Sequence, residues 1–310
     1  MTLRIWSNAK LSPAESQRLA RELAPHELVA AEGFDAAEVA VGQPEVERCV
    51  GSQKLRWVHL TSAGWDKFDQ PRVRRAFADR GVVLTTSATV YSEPCAQHVV
   101  AFMLAEARQV PRSLRHQLTD RAWVHREARI ASTLLGPAAT VLLVGFGNIA
   151  ARIAQLLAPF GARALGVRRS PSGAEPVPTF AITELPRLLA EADHVVDVLP
   201  GGAHTQHVFD AALFGLLKPG AVFYNIGRGS TVEQTALLNA LENGHLRAAY
   251  LDVTEPEPLP PEHPLWRAPN CFITPHAAGG HADEQARLVW HLLQNLGRFA
   301  VGEALVDRVL

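Results

Sequence analysis

The sequence predicts an α/β protein built on two parallel sheets. Short β-type runs alternate with helical patterns along nearly the whole chain, which is typical of parallel sheets covered by helices. Several of the later runs are apolar throughout, as expected of strands that are buried on both faces. With 310 residues, 47% of them hydrophobic, the chain is long enough for one large or two medium domains.

The first half of the chain is predicted to form a smaller, flavodoxin-like sheet. Its candidate strands are LRIWSN (3–8), ELVAA (27–31), AEVAVG (37–42), LRWVHLTS (55–62) and VVLTTS (82–87). A helix is predicted over 93–110, with Pro94 in its first turn, where the missing N–H of proline removes no hydrogen bond.

The second half predicts a doubly wound Rossmann sheet of six strands. Its candidate strands are ATVLLVG (139–145), ARALGVR (162–168), HVVDVLP (194–200), GAVFYNI (220–226), RAAYLDV (247–253) and CFITPH (271–276). The Pro-rich stretches PSGAEPVPTF and EPEPLPPEHP are expected to be loops. A last helix is predicted over 283–302, and its pattern alone does not assign it to either sheet.

Composition and charge exclude several classes of protein. The 30 basic and 31 acidic residues give a formal charge of −1, which does not indicate binding to nucleic acid or to an anionic membrane. The sequence has no apolar signal region and no run of membrane-spanning length, so a cytoplasmic protein is expected. The three cysteines are far apart and odd in number, which argues against a disulfide framework or a cysteine-based zinc site.

A glycine-rich turn follows the first strand of the second half. Gly145, Gly147 and Ala150 fit the G-x-G-x-x-[GA] spacing of a dinucleotide-binding turn. The first glycine permits a tight turn, and the second lets the backbone approach a pyrophosphate. The N–H groups near Asn148 and Ile149 then open the helix that binds it.

Two arginines stand where dinucleotide-binding units usually carry an acid. That acid accepts a hydrogen bond from the ribose 2′-OH of NAD. Here the position holds Arg168, followed by Arg169 and Ser170. Planar guanidinium groups match the oxygens of a 2′-phosphate, so NADP is the preferred cofactor and NAD stays possible. The alternative is that the arginines point into solvent.

Three polar residues lie at or just beyond the ends of late strands, where open α/β sheets bind their ligands. They are Arg228 in YNIGRGS, Glu257 in LDVTEPEPLP and His276 in ITPHAAGG. Singly, each has a structural interpretation, as a surface cation, one of several loop acids and a strand-end histidine. Together they form a carboxylate clamp and an acid/base histidine with its carboxylate partner.

A metal site built from histidines is not favoured. His263, His276 and His281 share no helical H-x-x-x-H or H-E-x-x-H spacing. We therefore predict no metal.

Seven segments, in order and over nearly the whole chain, resemble the D-isomer-specific 2-hydroxyacid dehydrogenases. They are LTSAGWD, EPCAQHVVAFMLA, VGFGNIA, LKPGAVFYNIGRGS, AAYLDVTEPEPLP, HPLW and PNCFITPHAAGG. Three positions depart from the family pattern. Gln97 replaces a common glutamate, Ala150 the third glycine and Arg168 the cofactor acid, and only the last of these changes a functional prediction.

The resemblance implies roles for individual residues. It makes Arg228 the substrate-binding arginine, His276 the catalytic histidine and Glu257 its paired acid. The backbone of Ser62, Ala63 and Gly64 is implied to hold the substrate carboxylate. Further cofactor contacts are predicted at Pro200, Thr205, Ile226, Gly227, Asp252, His276 and Gly279.

The resemblance also implies a domain organisation and a partner. Residues 1–92 and the C-terminal helix, 283–310, would form one discontinuous substrate domain, hinged on a nucleotide-binding domain at 93–282. A homodimer formed through the nucleotide-binding domains is expected.

The predicted activity is the reduction of a small 2-oxo acid, of the glyoxylate or hydroxypyruvate type, to the D-2-hydroxy acid. Hydride comes from NAD(P)H and the proton from His276. Two alternatives stay open: a same-fold dehydrogenase for a bulkier 2-oxo acid or a different hydride donor, and a dinucleotide-sensing, corepressor-like interaction protein.

Overall fold

A computed structural model describes residues 2–310 and confirms the α/β class with its two parallel sheets. The strands are β1 (Arg4–Ser7), β2 (Glu27–Leu28), β3 (Val39–Gly42), β4 (Trp57–Leu60), β5 (Val83–Thr85), β6 (Thr140–Val144), β7 (Arg163–Arg168), β8 (Thr179–Ala181), β9 (His194–Asp197), β10 (Ala221–Asn225), β11 (Leu246–Leu251) and β12 (Cys271–Ile273). The helices are α1 (Pro13–Glu22), α2 (Val46–Gly51), α3 (Pro71–Arg80), α4 (Ala88–Ala107), α5 (Val110–Leu118), α6 (His125–Ala131), α7 (Asn148–Leu157), α8 (Leu185–Leu189), α9 (Ala211–Leu216), α10 (Gln234–Glu242) and α11 (Glu284–Val301).

The chain divides into two compact units. One contains the residues up to Tyr91 together with Gly280–Leu310, and the other is Ser92–Gly279. The predicted divisions fall after residues 92 and 282, and the substrate and nucleotide-binding roles assigned to the two parts stay predictions.

The first unit has the strand order β2-β1-β3-β4-β5, which is the order of a flavodoxin-like sheet. One face of the sheet buries a cluster around Phe34, Val58 and Phe77. The other buries Trp57 against Leu292 of α11. The C-terminal helix therefore contributes to the core of this unit, because its apolar stripe covers a sheet face that would otherwise be exposed.

The second unit has seven parallel strands in the order β12-β11-β10-β9-β6-β7-β8. Six strands were predicted, and the missed one is β8, which pairs Gly166 with Thr179 at the edge of the sheet. It includes the last two residues of the stretch PSGAEPVPTF, which was predicted to be a loop. The prolines hide the strand pattern, but prolines are tolerated beside a short edge strand.

The long helix α4 also differs from its prediction. It begins at Ala88 rather than at residue 93, so Pro94 lies inside the helix. The proline was interpreted as a start signal, whereas its position leaves the Val90 carbonyl without its usual helical donor. Residues 108–110 are not part of this helix; α5 begins at Val110.

The order of the strands positions the candidate site. In the second sheet β12, β11 and β10 are neighbours, so the loops at their carboxyl ends meet along one edge. The turn after β6 lies on the same side because all these strands are parallel. Within residues 2–310, no helix has both the length and the apolar character needed to cross a membrane.

Candidate active site

The three strand-end residues follow neighbouring strands, and two of them are in direct contact. Arg228 follows β10, Glu257 follows β11 and His276 follows β12. The His276 Nδ1 atom lies 2.8 Å from Glu257 Oε2. Both side chains remain partly exposed, with 53% of the histidine and 38% of the glutamate accessible. The structure thus contains a solvent-accessible imidazole whose Nδ1 is occupied by a carboxylate.

His276 is held in an unusual backbone conformation. Its φ of 51° lies in the left-handed region that L-residues rarely adopt. The His276 N–H donates to the carbonyl of Asp252 at 2.8 Å. The surrounding contacts must therefore hold the turn, since such a conformation persists only where neighbouring groups determine it.

The Asp252 carboxylate supplies those contacts. Its Oδ1 accepts from Thr274 Oγ1 at 2.6 Å and from the Ala277 N–H at 2.8 Å, and its Oδ2 accepts from the Ala278 N–H at 2.9 Å. Asp252 is buried. It fixes both sides of the histidine turn, and a direct contact of Asp252 with the cofactor stays a prediction.

A second histidine, His98 of α4, contacts the same network. Its Nε2 lies 3.2 Å from Thr274 Oγ1. Burial lowers the pKa of His98, opposed by the nearby Asp252 charge, so its neutral form is favoured. Because the Thr274 proton goes to Asp252, the imidazole N–H is the donor to Thr274.

The Arg228 loop packs backbone to backbone on the loop that leads to Glu257. A Cβ atom at Gly229 would lie 2.0 Å from the carbonyl carbon of Thr254, so only glycine fits there. The Arg228 carbonyl accepts from Asn225 Nδ2 at 3.0 Å, and the Arg228 Nη1 atom donates to the Gly227 carbonyl at 2.7 Å. This packing brings the arginine and glutamate loops together.

A cavity of about 360 Å³ opens beside the histidine–glutamate pair. Glu257 and His276 line it together with Thr274, Ile273 and Trp266. The Trp266 indole N–H donates to the Pro260 carbonyl at 2.9 Å, which fixes the ring as a wall of the cavity.

The glycine-rich turn has the form that a dinucleotide requires. Gly145 has a φ of 96°, and a Cβ there would lie 2.7 Å from the Val198 backbone. A Cβ at Gly147 would have no neighbour within 4 Å among residues 2–310, so this face of the turn is open to a ligand. Gly147 caps α7, whose first residues are Asn148 and Ile149, and Ala150 is fully buried. These residues fit a pyrophosphate at the start of the helix.

Arg168, the last residue of β7, pairs with an acidic residue that was not among the predicted site residues. Arg168 Nη1 lies 3.1 Å from Glu175 Oε1. Glu175 also accepts from Ser172 N–H, Ser172 Oγ and Gly173 N–H. These bonds, the Ser172 N–H first, lower the pKa of Glu175 to about 2. Arg169 and Ser170 are exposed.

The other predicted cofactor positions lie in the loops of the second unit. Thr205 Oγ1 donates to the Pro200 carbonyl at 2.7 Å, while Ile226 and Gly227 are buried beside Arg228. Gly279 ends the unit. Their cofactor contacts stay predictions.

The predicted carboxylate-binding loop belongs to the first unit, just after β4. Ser62 Oγ donates to the Gly64 carbonyl at 2.6 Å and accepts from Gln43 at 3.1 Å. The loop, including Ala63, is partly exposed. Its role in substrate binding also stays a prediction.

Comparison with known proteins identifies the family. Residues 100–278 match the family model described as "D-isomer specific 2-hydroxyacid dehydrogenase, NAD binding domain". The chain is 35% identical over 267 residues to glyoxylate/hydroxypyruvate reductase B of Citrobacter koseri, covering 83% of this chain and 79% of that one. It is 32% identical over 260 residues to glyoxylate reductase of Korarchaeum cryptofilum, covering 81% and 74%.

A solved structure of Sinorhizobium meliloti NADPH-dependent glyoxylate/hydroxypyruvate reductase, in complex with NADP and sulfate, superimposes with a TM-score of 0.81 at 26% identity, covering 99% of this chain and 98% of that one. The chain belongs to the D-isomer-specific 2-hydroxyacid dehydrogenases. It is an NAD(P)-dependent oxidoreductase of that family.

In this dehydrogenase, the residues that the sequence did not predict are ones that hydrogen-bond or pair with the predicted site residues. His98, Thr274 and Glu175 belong to this group. His98 and Thr274 are 176 residues apart, so no local pattern reports their contact. Within residues 2–310, no group of three His, Cys, Asp or Glu side chains could hold a metal ion.

Two glycine-to-alanine substitutions separate cofactor binding from folding. Gly147→Ala should lower the melting temperature only slightly, as expected for alanine at the N-cap of α7, and raise the Kd for NADP(H) by about tenfold or more, because a methyl group keeps the pyrophosphate from the backbone. Gly229→Ala should destabilise the fold by roughly 1–3 kcal/mol or more, because the new Cβ overlaps Thr254. Calorimetry and NADPH fluorescence titration measure both. Unchanged NADPH affinity in Gly147→Ala contradicts the assigned pyrophosphate site.

Proposed function

We propose that this dehydrogenase reduces a small 2-oxo acid, of the glyoxylate or hydroxypyruvate type, to the D-2-hydroxy acid. The observation that carries the proposal is the 2.8 Å contact between His276 Nδ1 and Glu257 at the edge of a cavity of about 360 Å³. The Citrobacter koseri relative, which bears the name of such a reductase, supports the substrate class.

The roles follow from the contacts of each side chain. Since Glu257 occupies Nδ1, the Nε2 atom of His276 is the one that faces substrate and donates a proton to the carbonyl oxygen. Glu257 orients the ring and stabilises the imidazolium. The bound reduced nicotinamide supplies the hydride. Arg228 binds the substrate carboxylate through a charge-assisted hydrogen bond and stabilises negative charge on the oxygen.

The cavity favours a short substrate. Trp266 and Leu259 form its apolar wall, and the Trp266 ring is fixed by its hydrogen bond to Pro260. A volume near the lower end of the range for small-molecule pockets suits a two- or three-carbon acid better than a branched one.

We propose NADP(H) as the preferred cofactor. Arg168 and Arg169 present two guanidinium groups at the end of β7, where an acid would repel a 2′-phosphate. Glu175 orders Arg168 by pairing with one Nη atom, but its own negative charge opposes a phosphate there, so the preference rests on both guanidinium groups, of which that of Arg169 is exposed. The Sinorhizobium meliloti relative was crystallised with NADP.

We also propose that the protein is a homodimer. Large apolar side chains are exposed along a short stretch of the second unit, with Leu118 at 82%, Trp123 at 93% and Ile130 at 75% accessibility. Leu134 is 80% exposed as well. Such a concentration is uncommon on a monomer surface, and a two-fold interface would cover it with the same residues of a second copy.

Substitution of the histidine tests the activity. His276→Ala should lower kcat by about 10²–10⁴, because a positioned acid/base is lost. Glu257→Gln should lower kcat less, since the ring keeps a hydrogen-bond partner. Glu262→Gln, an exposed acid in the same loop, should leave turnover unchanged. Absorbance at 340 nm with glyoxylate and hydroxypyruvate measures all three. Near-normal turnover in His276→Ala would refute the assigned role.

Substitution of Arg168 tests the cofactor preference. Arg168→Ala should raise the KM for NADPH roughly tenfold to a hundredfold, as expected when a hydrogen bond to a charged group is lost, and leave the KM for NADH unchanged. Arg163→Ala is the matched control, because Arg163 is an exposed, ion-paired arginine at the other end of β7. Equal affinity of the wild type for NADPH and NADH would contradict the preference.

A charge placed in the apolar stretch tests the dimer. The double variant Leu118→Asp and Ile130→Asp should sediment at half the mass of the wild type, because burying two carboxylates in an apolar interface is costly. Leu28→Asp, at an exposed leucine of the first unit, should sediment as the wild type does. A monomeric wild type over the micromolar range would overturn the proposal.

A further inference from the structure

One acidic side chain of the second unit is fully buried and takes no part in the roles assigned above. Asp197 is the last residue of β9 and has no exposed surface. Its neighbours in register on the two flanking strands are Val144 and Asn225, and Thr231 packs against it from the turn after Arg228. Each of these side chains is uncharged, and among residues 2–310 no cation is paired with the Asp197 carboxyl group.

Thr231 has one hydroxyl proton, and its Oγ1 atom lies within hydrogen-bond distance of two oxygen atoms. Thr231 Oγ1 is in hydrogen-bond contact with Asp197 Oδ2 and lies 2.6 Å from the Arg228 carbonyl oxygen. The Asp197 Oδ1 atom accepts from the Leu199 N–H at 2.9 Å. A threonine hydroxyl has one proton, and a carbonyl oxygen and a carboxylate oxygen are both acceptors. One proton cannot serve both contacts.

Protonation of Asp197 supplies the second proton that these two contacts need. The carboxylic acid then donates through Oδ2 to Thr231 Oγ1, and the Thr231 hydroxyl donates to the Arg228 carbonyl. With an ionised carboxylate, the Thr231 proton goes to Asp197, and two oxygen atoms without a proton between them face each other at 2.6 Å. That arrangement is repulsive, so ionisation drives the Thr231 hydroxyl and the Arg228 carbonyl apart and leaves Asn225 Nδ2 and the Thr231 N–H as the donors to this carbonyl.

We propose that Asp197 is held as a neutral carboxylic acid and acts, through Thr231, as a positioning residue for Arg228. Its loss of a proton releases the Arg228 loop and weakens binding of the substrate carboxylate. This inference rests on the proposed role of Arg228 in substrate binding.

The surroundings of Asp197 place its titration in the neutral range. Burial raises its pKa to about 7, although the hydrogen bonds from Thr231 and Leu199 act in the opposite direction. The KM for the 2-oxo acid should therefore rise as pH increases above about 7, independently of the proton that His276 donates. The KM for the cofactor should not follow this titration.

The substitution Asp197→Asn isolates the titration. The amide donates to Thr231 and accepts from Leu199, as the neutral acid does, but cannot ionise. The ratio of the wild-type KM to the Asp197→Asn KM for glyoxylate should be near one at pH 6 and rise several-fold by pH 9, at an unchanged KM for NADPH. A ratio that stays constant with pH overturns the proposal.

Melting temperatures test the protonation without any activity. The unfolded chain loses this proton near the ordinary aspartate pKa of 3.8, whereas the folded protein keeps it to about 7. Wild-type stability must therefore fall relative to Asp197→Asn as pH rises through this interval. The difference in melting temperature should widen up to about pH 7 and then level off, and a constant difference overturns the neutral acid.

Thr231 tests the connection to Arg228. Thr231→Val removes the hydroxyl and should raise the KM for glyoxylate at pH 6, and Thr231→Ser should restore it. A normal KM in Thr231→Val overturns the positioning role. If the wild type reduces no 2-oxo acid, the proposed function fails, and the melting measurements still decide whether Asp197 is protonated.

Discussion

The Asp252 carboxylate is the interaction on which the site depends. His276 is held with a positive φ, a conformation that costs a non-glycine residue of order 1–3 kcal/mol. Asp252 accepts hydrogen bonds from Thr274, Ala277 and Ala278, on both sides of that histidine. Hydrogen bonds to a charged group contribute about 1.5–3 kcal/mol each, so three of them offset the backbone strain. The histidine presents its imidazole to the cavity because the chain around it has no freedom to relax.

Close backbone contacts also join the other loops at this edge of the sheet. Gly145 packs on the Val198 backbone and Gly229 on that of Thr254, at distances that leave no room for a side chain. The turn after β6 thus packs on the loop after β9, and the arginine loop packs on the glutamate loop, through main-chain contacts. Main-chain packing is stiffer than contact between long side chains, which suits a site that must hold reacting groups within fractions of an ångström.

The parts of this arrangement that the sequence predicts are those encoded locally. The turn at Gly145 and Gly147 is recognisable because it follows an apolar strand directly, and Arg228, Glu257 and His276 because each comes shortly after the end of β10, β11 or β12. The contact of His98 with Thr274 joins residues from distant parts of the chain, and the pairing of β8 depends on the neighbouring strand rather than on its own residues. Asp197 is noticeable in the sequence, since it is the single charged residue in the apolar run VVDVL. Sequence alone does not show that, within residues 2–310, the hydrogen-bond partners of its carboxyl group are a hydroxyl and an N–H.

Three carboxyl groups at the same sheet edge show how environment assigns roles to one chemical group. Glu257 is partly exposed and pairs with an imidazole, which suits the acid/base role proposed for that histidine. Asp252 is buried among three donors, which satisfy its charge and make it a fixed anchor. Asp197 has an N–H and a hydroxyl whose proton is needed elsewhere, so the neutral acid is the form that fits. The donors that surround each carboxyl group, more than its position in the chain, therefore decide whether it moves protons, holds backbone or keeps its own proton.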